Sequence, residues 1–88
     1  MSTSKTHTIP LDRLPDRRWA TITDIAIPDH GADRDLVLRL VELGFVPGER
    51  VCIVAEGLGT REPLAVRVGH TTFALRRHEA AFILVTPA

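Results

Sequence analysis

The sequence contains few of the residues on which disulfide frameworks, catalytic centres and membrane spans depend. Its 88 residues include no tyrosine and one cysteine, Cys52, which has no partner for a disulfide or a paired-cysteine metal motif. No run of about 18 apolar residues is present to suggest a transmembrane helix. The first ten residues lack the apolar segment of a signal peptide. We therefore predict a cytoplasmic protein in a reducing environment.

An excess of charge of one sign is also missing. Eleven Lys and Arg residues balance eleven Asp and Glu residues, which gives a formal net charge of zero. Proteins dedicated to nucleic acid usually carry a basic excess, so we do not expect nucleic acid as a partner. Ser2 and Ser4 lie near the N-terminus, and no base is close in sequence to Cys52. These absences predict a protein that is not an enzyme.

The apolar content is sufficient for one small domain. Hydrophobic residues make up 44% of the chain, and a chain of this length buries roughly 60 to 65% of its unfolded surface. Such a core suits a covered sheet better than a deep pocket. We expect a flexible tail over residues 1–8 and one folded domain over residues 9–88.

One stretch, residues 36–54, combines a helix, a stop and a strand. Apolar residues recur there with the period of an amphipathic helix that lies on a core. They are Leu36, Val37, Leu40, Val41 and Leu43. Gly44 then predicts a Schellman ending in which Phe45 folds back on the helix. Pro47 and Gly48 suit the central positions of a type II turn that leads into a buried strand.

The remaining pattern predicts a mostly β fold. In the stretch 19–27, Ile22 is out of phase with Ile25 and Ile27, which a bulge near Thr23 or Asp24 would explain. Leu11 and Leu14, three residues apart, predict one helical turn that packs both leucines under the domain. Short strands with tight loops favour a five-stranded antiparallel barrel with one α-helix inserted after the first strand. The predicted strands are residues 19–27, 49–55, 64–68, 72–76 and 82–85.

Three segments together resemble the FeoA family of proteins. They are LVELGFVPGERVCIV, EPLAVRVGHTTFALRRHEA and FILV, and the resemblance extends from about Ile9 to Val85. It implies an SH3-like barrel that serves bacterial ferrous iron transport as an accessory protein. It further implies binding to the soluble domain of the FeoB transporter, contact with the membrane only through that partner, and no required cofactor.

Because the resemblance implies a protein partner, residues that we expect to be exposed become candidates for contact with it. Leu38 points away from the buried arc of the helix, and Leu58 lies at a hairpin tip between glycines, although single exposed leucines are ordinary. Arg76 and Arg77, with Arg67, could pair with acidic groups or simply protect a sheet edge. The candidate contacts are Leu38, Glu42, Phe45, Leu58, Arg76 and Arg77. A proline-rich peptide is disfavoured as ligand because few aromatic residues are present to line a groove.

The histidines provide an alternative interpretation, a metal-responsive regulator that binds iron or zinc. The candidate ligands are His30, His70, His78 and Glu79. His70 and His78 bracket a strand and should lie more than about 20 Å apart, so we do not expect all four to form one intrachain site. A weakly bound transition metal shared between molecules, or weak self-association, remains an open alternative.

Overall fold

The computed structural model describes residues 7–29, 31–59 and 61–88. Most of the predicted tail, and His30, therefore lie outside the described residues. The elements follow one another as β1 (Ile9–Pro10), a 3-10 turn (Leu11–Arg13), β2 (Trp19–Ile25), α1 (Gly31–Leu43), β3 (Arg50–Glu56), β4 (Leu64–Val68), β5 (Thr71–Leu75), α2 (Arg77–Ala80) and β6 (Ile83–Pro87). Neither described helix is long and apolar enough to cross a membrane.

The strands form one antiparallel sheet in the order β1-β6-β2-β3-β4-β5. The predicted mostly β architecture with an inserted helix is confirmed, but the sheet has six strands where five were expected. The additional strand is β1, in which Ile9 pairs with Val85 and Pro10 with Leu84. Two residues are too few for periodicity to reveal, and a proline is tolerated there because β1 is a terminal strand. The helix consequently follows the second strand.

Irregularities in two strands allow the sheet to bend around its core. The pairing of β2 with β6 shifts register between Ile22 and Asp24, which confirms the bulge predicted near Thr23 or Asp24. A second shift, which was not predicted, lies in β3 between Ile53 and Ala55. Bulges increase local twist and bend a strand. The two shifts therefore help a short sheet to enclose side chains on one face.

One continuous hydrophobic core lies on that inner face. It contains the two leucines that were predicted to pack beneath the domain, Leu11 with 0% and Leu14 with 3% of their surface exposed. The other members come from the strands and both helices, together with Phe45, which lies two residues after α1. They are Ala20, Ile22, Leu40, Phe45, Val51, Ile53, Leu64, Val66, Val68, Leu75, Ala80, Ile83 and Val85.

The buried stripe of α1 is narrower than its sequence predicted. Val37 and Leu40 are buried, whereas Val41 and Leu43 are exposed and Leu36 is intermediate. A narrow stripe is expected of a helix that lies across the outside of a small barrel and not between two layers. The outward side of α1 therefore retains apolar residues that the core does not use.

The end of α1 is the predicted Schellman motif. The Phe45 amide donates to the Leu40 carbonyl at 3.0 Å, and the Gly44 amide donates to the Val41 carbonyl at 3.0 Å. Gly44 has φ of 114°, a conformation that residues with a Cβ rarely adopt. The two hydrogen bonds satisfy carbonyls at the helix end and direct Phe45 into the core.

The predicted turn into β3 is also present. The Glu49 amide donates to the Val46 carbonyl at 3.1 Å, and Gly48 has a positive φ of 97°, as position i+2 of a type II turn requires. The turn is joined to β2, because the Gly48 amide donates to the Ile22 carbonyl and the Ile22 amide donates to the Glu49 carbonyl, both at 2.8 Å. Helix, turn and strand are thus fixed to the sheet as one unit.

Candidate protein-docking surfaces and histidine sites

The outward side of α1 presents an apolar patch with an acidic edge. Leu38 is 50% exposed, Val41 is exposed, and Glu42 points to solvent. Residues three and four positions apart are neighbours on a helix, so Leu38 adjoins both Val41 and Glu42. We call these three residues the helix patch. Leu38 and Glu42, two of the predicted partner contacts, are thus both exposed.

Leu58, the other leucine predicted as a partner contact, lies between β3 and β4. Leu58 is 98% exposed, so its side chain makes almost no contact with the rest of the described chain. An isolated exposed leucine is common on protein surfaces, whereas one held at a turn tip can insert into a partner. Leu58 and the helix patch belong to different elements, and we treat them as two contact points.

Phe45 does not belong to either surface, contrary to the prediction from sequence. Its side chain is fully buried, and its ring packs against the ring of Phe73 with centroids 5.6 Å apart. The Schellman ending that was correctly predicted is the reason, because it turns residue 45 toward the core. Phe45 is a core residue and is removed from the partner contacts.

Arg76 and Arg77 have different roles although they are adjacent. One guanidinium nitrogen of Arg77 (Nη2) donates to the Asp12 carbonyl at 2.6 Å, and the Arg77 amide donates to Glu62 Oε2 at 2.7 Å. These bonds attach the start of α2 to the 3-10 turn and to the loop before β4. The exposed Arg76 side chain forms no salt bridge with a described residue. Of the pair, Arg76 is the better candidate for a partner's carboxylate.

His78 and Glu79 are adjacent in the sequence, but their side chains contact different residues. His78 Nε2 lies 3.2 Å from Asp33 Oδ1, and its ring meets Phe82 edge-on with centroids 5.2 Å apart. Glu79 Oε1 instead accepts a hydrogen bond from the Arg76 amide at 2.8 Å and caps α2. Asp33 could not be predicted as a partner of His78 because the two residues are 45 positions apart in the sequence.

The other predicted metal ligands are not assembled in the part of the chain that the structure describes. His70 is exposed in the turn between β4 and β5, and His30 is not described. Across residues 7–29, 31–59 and 61–88, no three His, Cys, Asp or Glu side chains converge as metal ligands. The closest arrangement is the His78 and Asp33 pair, which supplies two of the three or four ligands that a zinc site normally uses.

An acidic pair that the sequence did not reveal lies beside an open depression of about 560 Å³. Arg61 Nε donates to Glu56 Oε1 at 2.8 Å. The hydrogen bonds of Glu56 with Arg61 and with Asp16 lower the pKa of Glu56. The hydrogen bond with Glu56, together with desolvation, raises the pKa of Asp16. Asp16 and Glu56 thus shift each other's pKa in opposite directions. They lie 40 positions apart in the sequence, so no local motif indicated the pair.

Cys52 is buried between neighbouring strands. Desolvation by burial raises the pKa of its thiol, and the nearby Arg17 opposes that effect. The thiolate is the nucleophilic form of cysteine, so burial makes Cys52 unreactive. This environment agrees with its predicted role as a small packed hydrophobe.

The six-stranded antiparallel sheet, its enclosed core and helix α1 across the outside define an SH3-like barrel domain. Residues 9–87 match the FeoA domain family model. The chain belongs to the FeoA family. No functionally curated protein matches the sequence.

Solved structures agree with this assignment. FeoA of Stenotrophomonas maltophilia in complex with zinc is 44% identical, with a TM-score of 0.73 over 85% of this chain and 86% of that one. It is described as a prokaryotic SH3 domain protein and a candidate activating factor of ferrous iron transport. The iron(II) transport protein A of Clostridium thermocellum is 30% identical, with a TM-score of 0.78 over 91% of this chain and 46% of that one. A FeoA-like protein of Clostridium acetobutylicum, 23% identical with a TM-score of 0.78 over 94% of this chain and 90% of that one, shares the fold.

Proposed function

We propose that this protein is a cytoplasmic, non-enzymatic accessory protein of ferrous iron uptake that binds the soluble domain of the FeoB transporter and modulates it. Membership of the FeoA family over residues 9–87 carries the proposal. The relative that is 44% identical and is described as a candidate activating factor of ferrous iron transport supports it. An activating factor acts through a transporter, and FeoB is the partner that the family resemblance implies.

The helix patch and Leu58 are the proposed contacts. Both offer apolar side chains that the core leaves exposed, and burial of a leucine in a partner's pocket contributes about 1.5 to 3 kcal/mol. Arg76 would add a charged contact at the rim, which affects the association rate more than the final affinity. The protein would act by changing the conformational equilibrium of the transporter domain on which it docks.

Binding to immobilised FeoB soluble domain, together with cellular iron uptake, tests the contacts. We expect Leu38→Asp and Leu58→Asp each to weaken binding by about tenfold or more, because each introduces an unpaired charge into an apolar contact. Ile27→Asp is the matched control, since Ile27 is 63% exposed but belongs to neither contact. Full binding and full uptake by folded Leu38→Asp and Leu58→Asp proteins would refute the proposed surfaces.

A second candidate function, a regulator that responds to iron or zinc, is favoured by one geometric observation. His78 and Asp33 place a nitrogen and a carboxylate 3.2 Å apart on the surface, and a zinc complex is known for the relative from S. maltophilia. Isothermal titration with Zn²⁺ and Fe²⁺ tests it. If this candidate is correct, wild type binds metal with defined stoichiometry and His78→Ala and Asp33→Asn lose it, whereas His70→Ala binds as wild type.

A further inference from the structure

The outer face of the sheet carries a row of side chains that the core does not use. Trp19 in β2 pairs with Cys52 in β3, and Cys52 pairs with Arg67 in β4. The three side chains therefore project from the same side of the sheet, because directly paired residues share a face. The adjacent row of Ala20, Val51 and Val68 is buried and faces the core.

Trp19 makes a cation–π contact with an arginine and remains partly exposed. The guanidinium carbon of Arg50 lies 5.2 Å from the centroid of the Trp19 ring, and the ring remains 37% exposed. A cation over an aromatic face is favourable and restricts both side chains. The contact places a positive charge beside the indole. It also means that the Trp19 and Arg50 side chains lose less conformational entropy when a partner binds.

Two further arginines flank this ring. Arg17 precedes β2, and its amide donates to the Ile53 carbonyl at 2.7 Å, which fixes the backbone at the edge of the face. Arg67 lies two strands away from Trp19 in the paired row. We call Arg17, Trp19, Arg50 and Arg67 the Trp19 surface. Three of these residues, Arg17, Trp19 and Arg67, line a shallow depression of about 500 Å³ whose lining includes His70 and no Asp or Glu.

The three arginines form no salt bridge within the described chain. None of Arg17, Arg50 and Arg67 lies within salt-bridge distance of a described carboxylate. The charge of Arg17 acts on the neighbouring Asp16 without such a contact, and Asp16 is hydrogen-bonded with Glu56. In a chain with a formal net charge of zero, this local excess of positive charge gives the face an electrostatic preference for an anionic partner.

We propose that the Trp19 surface binds an acidic segment of a partner protein. Carboxylates of the segment would pair with Arg17 and Arg67, and an apolar side chain between them would pack on the exposed part of Trp19. Arginine is suited to this task because its planar guanidinium donates two parallel hydrogen bonds to one carboxylate. The surface is separate in sequence from the helix patch and Leu58, and the inference does not depend on FeoB being the partner.

Trp19 makes the experiment direct because it is the only tryptophan in the chain. The probe is a peptide of about ten Glu and Leu residues without aromatic side chains, and the control peptide has Gln in place of every Glu. We expect the Glu peptide to change the Trp19 fluorescence saturably, with an apparent affinity that falls as salt is raised. We expect the Gln peptide to cause no saturable change.

Paired double variants of equal charge separate the surface from a general charge effect. Arg17→Gln with Arg67→Gln should weaken Glu-peptide binding by about tenfold or more, because two ion pairs are lost. Arg34→Gln with Arg39→Gln removes the same charge from exposed positions of α1 and should change binding by less than about twofold. Amide chemical shift changes in wild type should concentrate in β2, β3 and β4.

Three results would overturn the proposal. The first is no saturable binding of the Glu peptide by wild type. The second is an equal loss of affinity in both double variants, which would show that only net charge matters. The third is tighter binding of a single-stranded oligothymidine than of the Glu peptide, which would identify the face as a stacking platform for nucleic acid.

Discussion

The rings of Phe45 and Phe73 lie with their centroids 5.6 Å apart and their planes inclined by 56°. This contact joins Phe45, two residues after the end of α1, to strand β5. Tilted aromatic pairs at such separations add to the stabilisation from burial. The orientation of α1, and therefore of the helix patch, depends on this contact together with the Schellman hydrogen bonds.

Replacement of Phe45 tests its assignment to the core. Phe45→Ala should lower the free energy of unfolding by about 3 to 5 kcal/mol, as large-to-small changes in cores do. Phe73→Ala should cost less because Phe73 is only partly buried. Urea denaturation measures both, and Phe45→Leu supplies a milder variant if Phe45→Ala does not fold. A Phe45→Ala protein as stable as wild type that no longer binds FeoB would return Phe45 to the partner surface.

The conformation of Gly44 leads to a second prediction. With φ of 114°, this position disfavours any residue that carries a Cβ, although the space around it is open. We expect Gly44→Ala to destabilise the fold by about 1 to 2 kcal/mol through backbone strain alone. Gly31→Ala, at the first residue of α1, is the control and should be neutral or slightly stabilising. Equal effects of the two substitutions in thermal or urea unfolding would contradict the Schellman assignment.

Asp16 and Glu56 should titrate with pKa values shifted in opposite directions. Hydrogen bonds with Arg61 and Asp16 lower the pKa of Glu56, whereas the hydrogen bond with Glu56 raises the pKa of Asp16. Carboxyl carbon NMR shifts followed over an acid titration should therefore show the pKa of Asp16 above, and that of Glu56 below, the ordinary value for its residue type. Glu56→Gln should bring the pKa of Asp16 back toward its ordinary value. A pKa of Asp16 in wild type that is at or below its ordinary value would contradict the pairing.

The two carboxyl groups have opposite effects on stability. The lowered pKa of Glu56 stabilises the folded state above the pKa that Glu56 has in the unfolded chain, and this contribution is lost as pH falls through the folded pKa. The raised pKa of Asp16 has the reverse sign, because its ionised form is disfavoured in the folded state. Asp16→Asn should therefore leave a protein whose stability decreases more clearly on acidification than that of wild type, as urea unfolding across pH would show.

Cys52 should react slowly while the protein is folded. Burial raises the pKa of its thiol and restricts access to the sulfur. At pH 7.5 we expect alkylation by iodoacetamide to be at least about tenfold slower than in the urea-unfolded chain. Mass spectrometry can follow the reaction over time. Equal rates in the folded and unfolded protein would show that Cys52 is accessible.

Much of the fold could be predicted because its signals are local. Gly44, Pro47 and Gly48 each have a conformational preference that acts within a few residues, and the structure places each as expected. The strand β1 was not predicted, because its pairing with residues 84 and 85 is a long-range contact that no local sequence pattern reveals. The breadth of the buried stripe on α1 was overestimated because apolar periodicity does not report how much of a helix is covered.

The candidate sites were less predictable because they depend on contacts between residues that are distant in the sequence. Leu38 and Leu58 could be identified as exposed from helical phase and from flanking glycines. The pairing of His78 with Asp33, and the row formed by Trp19, Cys52 and Arg67, required strand register and tertiary contacts that one sequence does not encode locally. Sequence therefore indicated single exposed residues, whereas the structure was needed to show which residues act together.

The most direct test of the proposed function is affinity capture of the tagged protein from detergent-solubilised membranes that contain FeoB. We predict that wild type retains FeoB, that the Leu38→Asp and Leu58→Asp double variant retains much less, and that the Ile27→Asp control retains as much as wild type. Failure of the folded wild-type protein to retain FeoB, at detergent and salt conditions where FeoB itself stays folded, would contradict the central claim that this barrel acts by docking on the transporter.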